Sequence, residues 1–154
     1  MTLHGMQRPG AITVTALAVA ALVFAAPAAA SESPGHFAAR VATYRVHGQW
    51  ATWLQSFYPP QRCAGHITRA EFLNCSRFWA VYPRARFRVH TVAPNTPQRI
   101  PGLPGRYRTV EVNLWSNLPA FTPSLLHVLR YGGAWKWYLS RNWYASFADG
   151  ECPT

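Results

Sequence analysis

Acid is what this sequence has least of. Its 154 residues carry 5 Asp+Glu against 15 Lys+Arg, and Lys136 is the single lysine among those bases. That shortage counts against paired-carboxylate chemistry, which needs two carboxyl groups flanking one cleft. No G-x-S-x-G elbow, no G-x-x-x-x-G-K-[ST] loop and no G-x-G-x-x-G turn occurs. The nucleophile-elbow, phosphate-loop and dinucleotide readings therefore have no anchor. Cysteine is absent before Cys63, which excludes a lipid-modified start, and no C-x-x-C pair exists to suggest a metal centre. No internal repeat is visible.

What is present begins with an apolar run. Residues 11–26 (AITVTALAVAALVFAA) follow a short segment whose only full charge is Arg8; Pro27 breaks the run before Ala28-Ala29-Ala30. That order reads as a secretory signal with cleavage after Ala30. A retained anchor is the alternative, but a spanning helix needs about 20 apolar residues and this run is shorter. Residues 31–154 then form one domain, large enough for a single core. Without Arg8, 14 bases face 5 acids, a net charge of +9. The expected location is extracytoplasmic: secreted, periplasmic or in the cell envelope. Positive charge there favours an anionic envelope polymer or lipid headgroups, or simply keeps the protein dispersed. Arginine dominance alongside abundant alanine and proline also matches the codon bias of a GC-rich bacterial genome.

Export turns Cys63, Cys75 and Cys152 into bridge candidates, one of which must be left over. Thr68-Arg69-Ala70-Glu71 has capping-box spacing, flanked by Ile67 and Phe72. A helix is expected from Thr68 to about Tyr82, stopped by Pro83, with Phe72, Cys75, Trp79 and Tyr82 on one face. Cys75 then behaves as a small buried hydrophobe. Cys63 and Cys152 fall in loops, and a Cys63–Cys152 bridge is expected.

Ser33-Pro34 opens a first helix, whose stripe of Phe37, Val41, Tyr44, Ala51, Leu54 and Tyr58 runs to Pro59-Pro60 with a break at Gly48. Arg86 to His90 alternates as a half-buried strand. Residues 94–105, with four prolines and two glycines, read as loop. Arg106 to Trp115 alternates again. Gly132-Gly133 is a two-residue hairpin turn between Ser124–Tyr131 and Ala134–Leu139, with partner numbers summing to 265. Ser140 opens a short last helix. Helices followed by four antiparallel strands predict an α+β domain.

This order resembles exported bacterial members of the NTF2-like superfamily. The features that carry the resemblance are Trp50 and Trp53 closing the first helical stretch, the Cys63…Thr68-x-x-Glu71-Phe72 segment, and the hairpin Gly132-Gly133-Ala134-Trp135-Lys136-Trp137. It implies a cone of N-terminal helices on a curved four-stranded sheet, enclosing a pocket that some members use as isomerases or cyclases. The loop at 94–105 departs from the tight hairpin expected there and leaves the pairing of the first two strands open.

Such an enzyme needs a carboxylate base in an apolar cavity. Glu71 is occupied by capping, Glu32, Asp149 and Glu151 lie near the ends of the mature segment, and Glu111 alternates onto the solvent side, among Arg86, Arg88 and Lys136. No catalytic residue is nominated, and neither a metal nor a cofactor is expected. His36 and His47 sit about 16 Å apart on a helix, too far to share an ion. His90 and His127 can approach on the outer sheet face.

Seven tryptophans remain. Core packing is the ordinary use of them; the functional use is an apolar pocket lined by Tyr44, Trp53, Trp135 and Trp137 for a hydrophobic or ring-bearing ligand. Arg130 opposite Trp135 suggests a cation–π pair. Arg84, Arg86 and Arg88 form a basic strip suited to an anionic partner; export argues against nucleic acid. The oligomeric state stays open, a dimer included. The expected function is a non-catalytic binding or interaction module, with a small isomerase- or hydrolase-type pocket enzyme as the alternative.

Overall fold

The computed structural model describes residues 31–118 and 124–153. The expected signal segment, 1–30, lies outside them. Helix α1 (Pro34–Val46) starts as read: Ser33 is its N-cap and accepts a bond from the His36 amide, with Pro34 in the first turn. Gly48, at φ +73°, ends the helical stretch in a conformation L side chains rarely adopt, and α2 (Trp50–Gln55) restarts it.

Pro59-Pro60 begins rather than ends an element. Both prolines occupy the opening of α3 (Pro59–Ala64), where a missing N–H costs nothing. The Thr68–Glu71 capping box forms in full, but α4 runs only over Arg69–Cys75 before a 3-10 turn at Ser76–Phe78. The expected continuation to Tyr82 fails because outside partners claim the next residues. Trp79 is extended and its Nε1 donates to Pro153 O at 2.7 Å, while the Tyr82 amide donates to Val46 O at 2.6 Å. Pro83 also disfavours helical backbone at Tyr82.

Among the described residues the sheet is antiparallel and has five strands, not four: β1 (Phe87–Val92), β2 (Thr96–Gln98), β3 (Tyr107–Ser116), β4 (Ser124–Tyr131) and β5 (Ala134–Trp137). Its order is β1-β3-β4-β5, with β2 also on β3, and it is open rather than closed into a barrel. The extra strand lies inside the proline-rich segment. Pro97 sits opposite Arg108 in this short strand, and an edge position tolerates the lost donor. The hairpin register is as expected: Val128 faces Trp137, Arg130 faces Trp135, and Gly132 and Gly133 take φ +57° and +79°. The free edge of β5 is covered: Trp137 N donates to Ser56 O and Tyr58 N to Trp137 O. Helix α5 (Arg141–Ala148) follows the N-cap Ser140.

The core lies between the N-terminal helices and one sheet face, where Val110, Val112, Leu114, Val128 and Trp137 meet Phe37, Val41, Trp53 and Phe72. Gln61 is fully buried and satisfied. It donates to Pro101 O and Leu139 O and accepts from Leu139 N, tying α3 to the segment before β3 and to the end of the hairpin.

The cysteine pairing differs from the expectation. Cys75 bonds Cys152 with Cα atoms 5.1 Å apart, and Cys63 is free and exposed. The reason lies in the apolar stripe itself. Cys75 does face the core, and the chain after α5 passes that face, as the Trp79–Pro153 bond records. Cys63 is not in a loop but on α3, turned to solvent.

Candidate functional site

Indole rings fill the space where α2 and α4 meet the hairpin. Trp53 and Trp137 stack at 4.5 Å with planes 3° apart, and Trp50, Trp79, Phe72 and Trp143 pack against Trp53. Trp53 and Trp137 are each only 3% exposed, so both belong to the core. Each also walls a recess of about 290 Å³ beside it, shared with Arg45, Leu126, His127 and Trp143. The other two residues singled out for an aromatic pocket belong to a different cluster. Tyr44 lies under the Arg40 guanidinium and accepts a hydrogen bond from it. Trp135 lies 4.9 Å below Arg130, and its Nε1 donates to Glu32 O.

Adjoining the recess, the segment 98–103 and α5 border a cleft of about 670 Å³, lined by Arg99, Glu111, His127, Tyr138, Arg141 and Tyr144. Gly102 shapes this wall. Its φ is +80°, and a Cβ there would collide with the Tyr144 hydroxyl. Glu111 thus stays on the solvent side, its side chain 44% exposed, but in a cleft with Arg99 and Arg141 rather than beside Arg86 and Arg88. The β3–β4 register sets it opposite His127, with Oε1 3.6 Å from a buried Nδ1 that has no hydrogen-bond partner. The Tyr138 ring lies 5.4 Å from the imidazole. Burial pushes the His127 pKa down, against the opposing pull of Glu111. Burial thus favours the neutral imidazole, and the neighbouring carboxylate favours the charged one. Burial likewise raises the Tyr138 phenol above its ordinary value. Lys136, once grouped with Glu111, donates instead to Gln55 O.

Arg45 occupies the recess in an unusual state. It is half-buried in the last turn of α1, and its guanidinium stands 5.1 Å over Trp143. Among the described residues it has neither a carboxylate nor a hydrogen-bond acceptor. Desolvation lowers its pKa. The indole Nε1 of Trp53 is also buried without an acceptor.

The basic strip is exposed but not one straight row. Arg88 lies in β1 opposite Trp115, whereas Arg84 and Arg86 precede the strand and are held by Asn117, which accepts from Arg86 N and donates to Arg84 O. His90, at the bulge in β1, packs on Trp115 and not on His127. Among the described residues no cluster of His, Cys, Asp and Glu has the make-up of a metal site, and no helix is long and apolar enough to cross a membrane.

Arg45, Trp143 and the Glu111–His127 pair did not emerge from sequence as a site. A signal for Arg45 exists: Phe37, Val41 and Arg45 recur every four residues, which puts a cation in the apolar stripe. Pairing Glu111 with His127 needed the β3–β4 register, and residues 117–123 contain no turn motif that sets it. No protein-family model matches the chain, and no curated protein or solved structure matches it either.

Proposed function

We propose that the chain is a basic, extracytoplasmic, non-catalytic binding module of NTF2-like kind, with a small hydrophobic or ring-bearing ligand held in the indole-walled recess. One observation carries this reading. Three indoles, Trp53, Trp137 and Trp143, wall a hollow where the helices meet the sheet, and such convergence of aromatic walls with a few polar groups is the usual make-up of a small-molecule site. The helices-then-antiparallel-sheet order supports the NTF2-like assignment. The Cys75–Cys152 bridge supports an oxidising compartment. Tryptophan fluorescence during titration with an apolar dye, neutral glycans and anionic vesicles tests it. A saturable change with the dye that is lost in Trp143→Ala is expected. No saturable response with any of the three removes the reading.

The Glu111–His127 pair favours a second reading, a pocket enzyme using His127 as general base with Glu111 orienting the imidazole. Turnover of a chromogenic ester or an enolisable ketone that disappears in both His127→Ala and Glu111→Gln would replace the binding module with an enzyme.

A further inference from the structure

We infer that the recess takes a carboxylate: a small aromatic acid whose ring lies among the indoles and whose anionic head bonds Arg45. This rests on the recess reading above and adds the chemical class of the ligand. Two donors are left unanswered among the described residues, and one of them, the Arg45 guanidinium, lies at the hollow. The Arg45 guanidinium has no counter-charge or acceptor among the described residues, and the Trp53 Nε1–H is buried with none. Removing a cation from water without a partner is costly. The same helix shows the ordinary solution one turn earlier, where Arg40 holds Glu32 through two bonds of 2.9 and 2.6 Å.

The lining narrows the class. A guanidinium presents a planar fork that matches a carboxylate through two parallel bonds. The unanswered guanidinium of Arg45 is a donor, so the ligand's head must be an acceptor. A bare inorganic anion leaves the indole walls unused, and a volume of about 290 Å³ limits the body to one or two rings. Among the described residues no carboxylate lines the recess; Glu111 lines the adjoining cleft.

Calorimetric titration of the full mature domain with 2-naphthoate, 2-naphthamide and inorganic phosphate tests the assignment. Naphthoate should bind about tenfold or more tightly than naphthamide, the difference expected when a desolvated charge pair is replaced by a neutral contact. Phosphate should bind weakly. Arg45→Met should abolish the preference by weakening naphthoate while sparing naphthamide, and Arg45→Lys should retain part of it. Thermal melts of each variant establish that it is folded. Equal affinity for acid and amide, or a preference unchanged in Arg45→Met, overturns the carboxylate assignment and leaves the recess as a neutral apolar site. Absence of binding by both naphthyl compounds overturns the recess itself. Phosphate binding as tightly as naphthoate would make it a plain anion site and equally sink the proposal.

Discussion

Two arginines five residues apart on α1 have opposite surroundings. Arg40 lies at the rim with everything a guanidinium asks for: a bidentate bond to Glu32, a bond to the Tyr44 hydroxyl, and the faces of Phe37 and Tyr44. Glu32 raises its pKa. Arg45 is set deeper, over Trp143, and burial lowers its pKa with no carboxylate among the described residues to counter it. A chain with five acids among fifteen bases cannot pair every cation. Most unpaired arginines are exposed and need no partner, whereas Arg45 is half-buried. Shortage of acid thus becomes informative only where it coincides with burial.

The frame that both arginines share should respond most strongly to change. Replacing Cys75 and Cys152 by alanine removes a link across 77 residues and should cost about 2–5 kcal/mol in denaturant unfolding. Cys63→Ser should leave the unfolding midpoint in place. Next, Arg45→Met should be neutral or stabilising by about 1 kcal/mol, since an unpaired, partly buried charge gives way to an apolar side chain of similar length. Arg40→Met should instead destabilise by roughly 0.5 kcal/mol, the modest value of a half-exposed ion pair. Equal losses in the two variants would break the contrast between rim and recess.

A pH series sharpens it further. His127 titrates below 6.5 when folded and near 6.5 when unfolded, so below that pH the unfolded chain binds the extra proton. Stability should therefore fall as pH drops from 7 through 6.5 to the folded pKa, then level off. His127→Gln should flatten that segment of the curve; an unchanged slope would show that other groups dominate. Smallest of all, replacing Arg84, Arg86 and Arg88 together by glutamine should leave stability within about 0.5 kcal/mol and weaken retention on a polyanion column, mostly at low salt.

Local chemistry was legible in the sequence wherever partners sit close along the chain. The Ser33-Pro34 opening, the Thr68–Glu71 box, the break at Gly48 and the Gly132-Gly133 hairpin need only a few residues each, and all four appear in the structure. The expected Arg130–Trp135 contact follows from the same hairpin register. Long-range partners were not legible. Prolines at 59–60 and 97 were taken as punctuation, although position within an element decides whether proline opens it, edges it or breaks it. Cys75 was placed on the right face, yet nothing local says that the chain after α5 returns to that face. Glu111 was placed on the correct side of the sheet, but the overhang of α5 and of residues 98–103 that makes this side a cleft is a tertiary event.

The Cys75–Cys152 bond also orders events in time. All five strands and α5 lie between its two sulfurs. The thiol of Cys75 must therefore stay unpaired until the strands, α5 and Cys152 have all been made. Cys63, twelve residues upstream and exposed, emerges earlier and is the nearest competitor for it. Correct oxidation thus requires Cys75 to escape pairing with Cys63 until the strands and α5 have followed it.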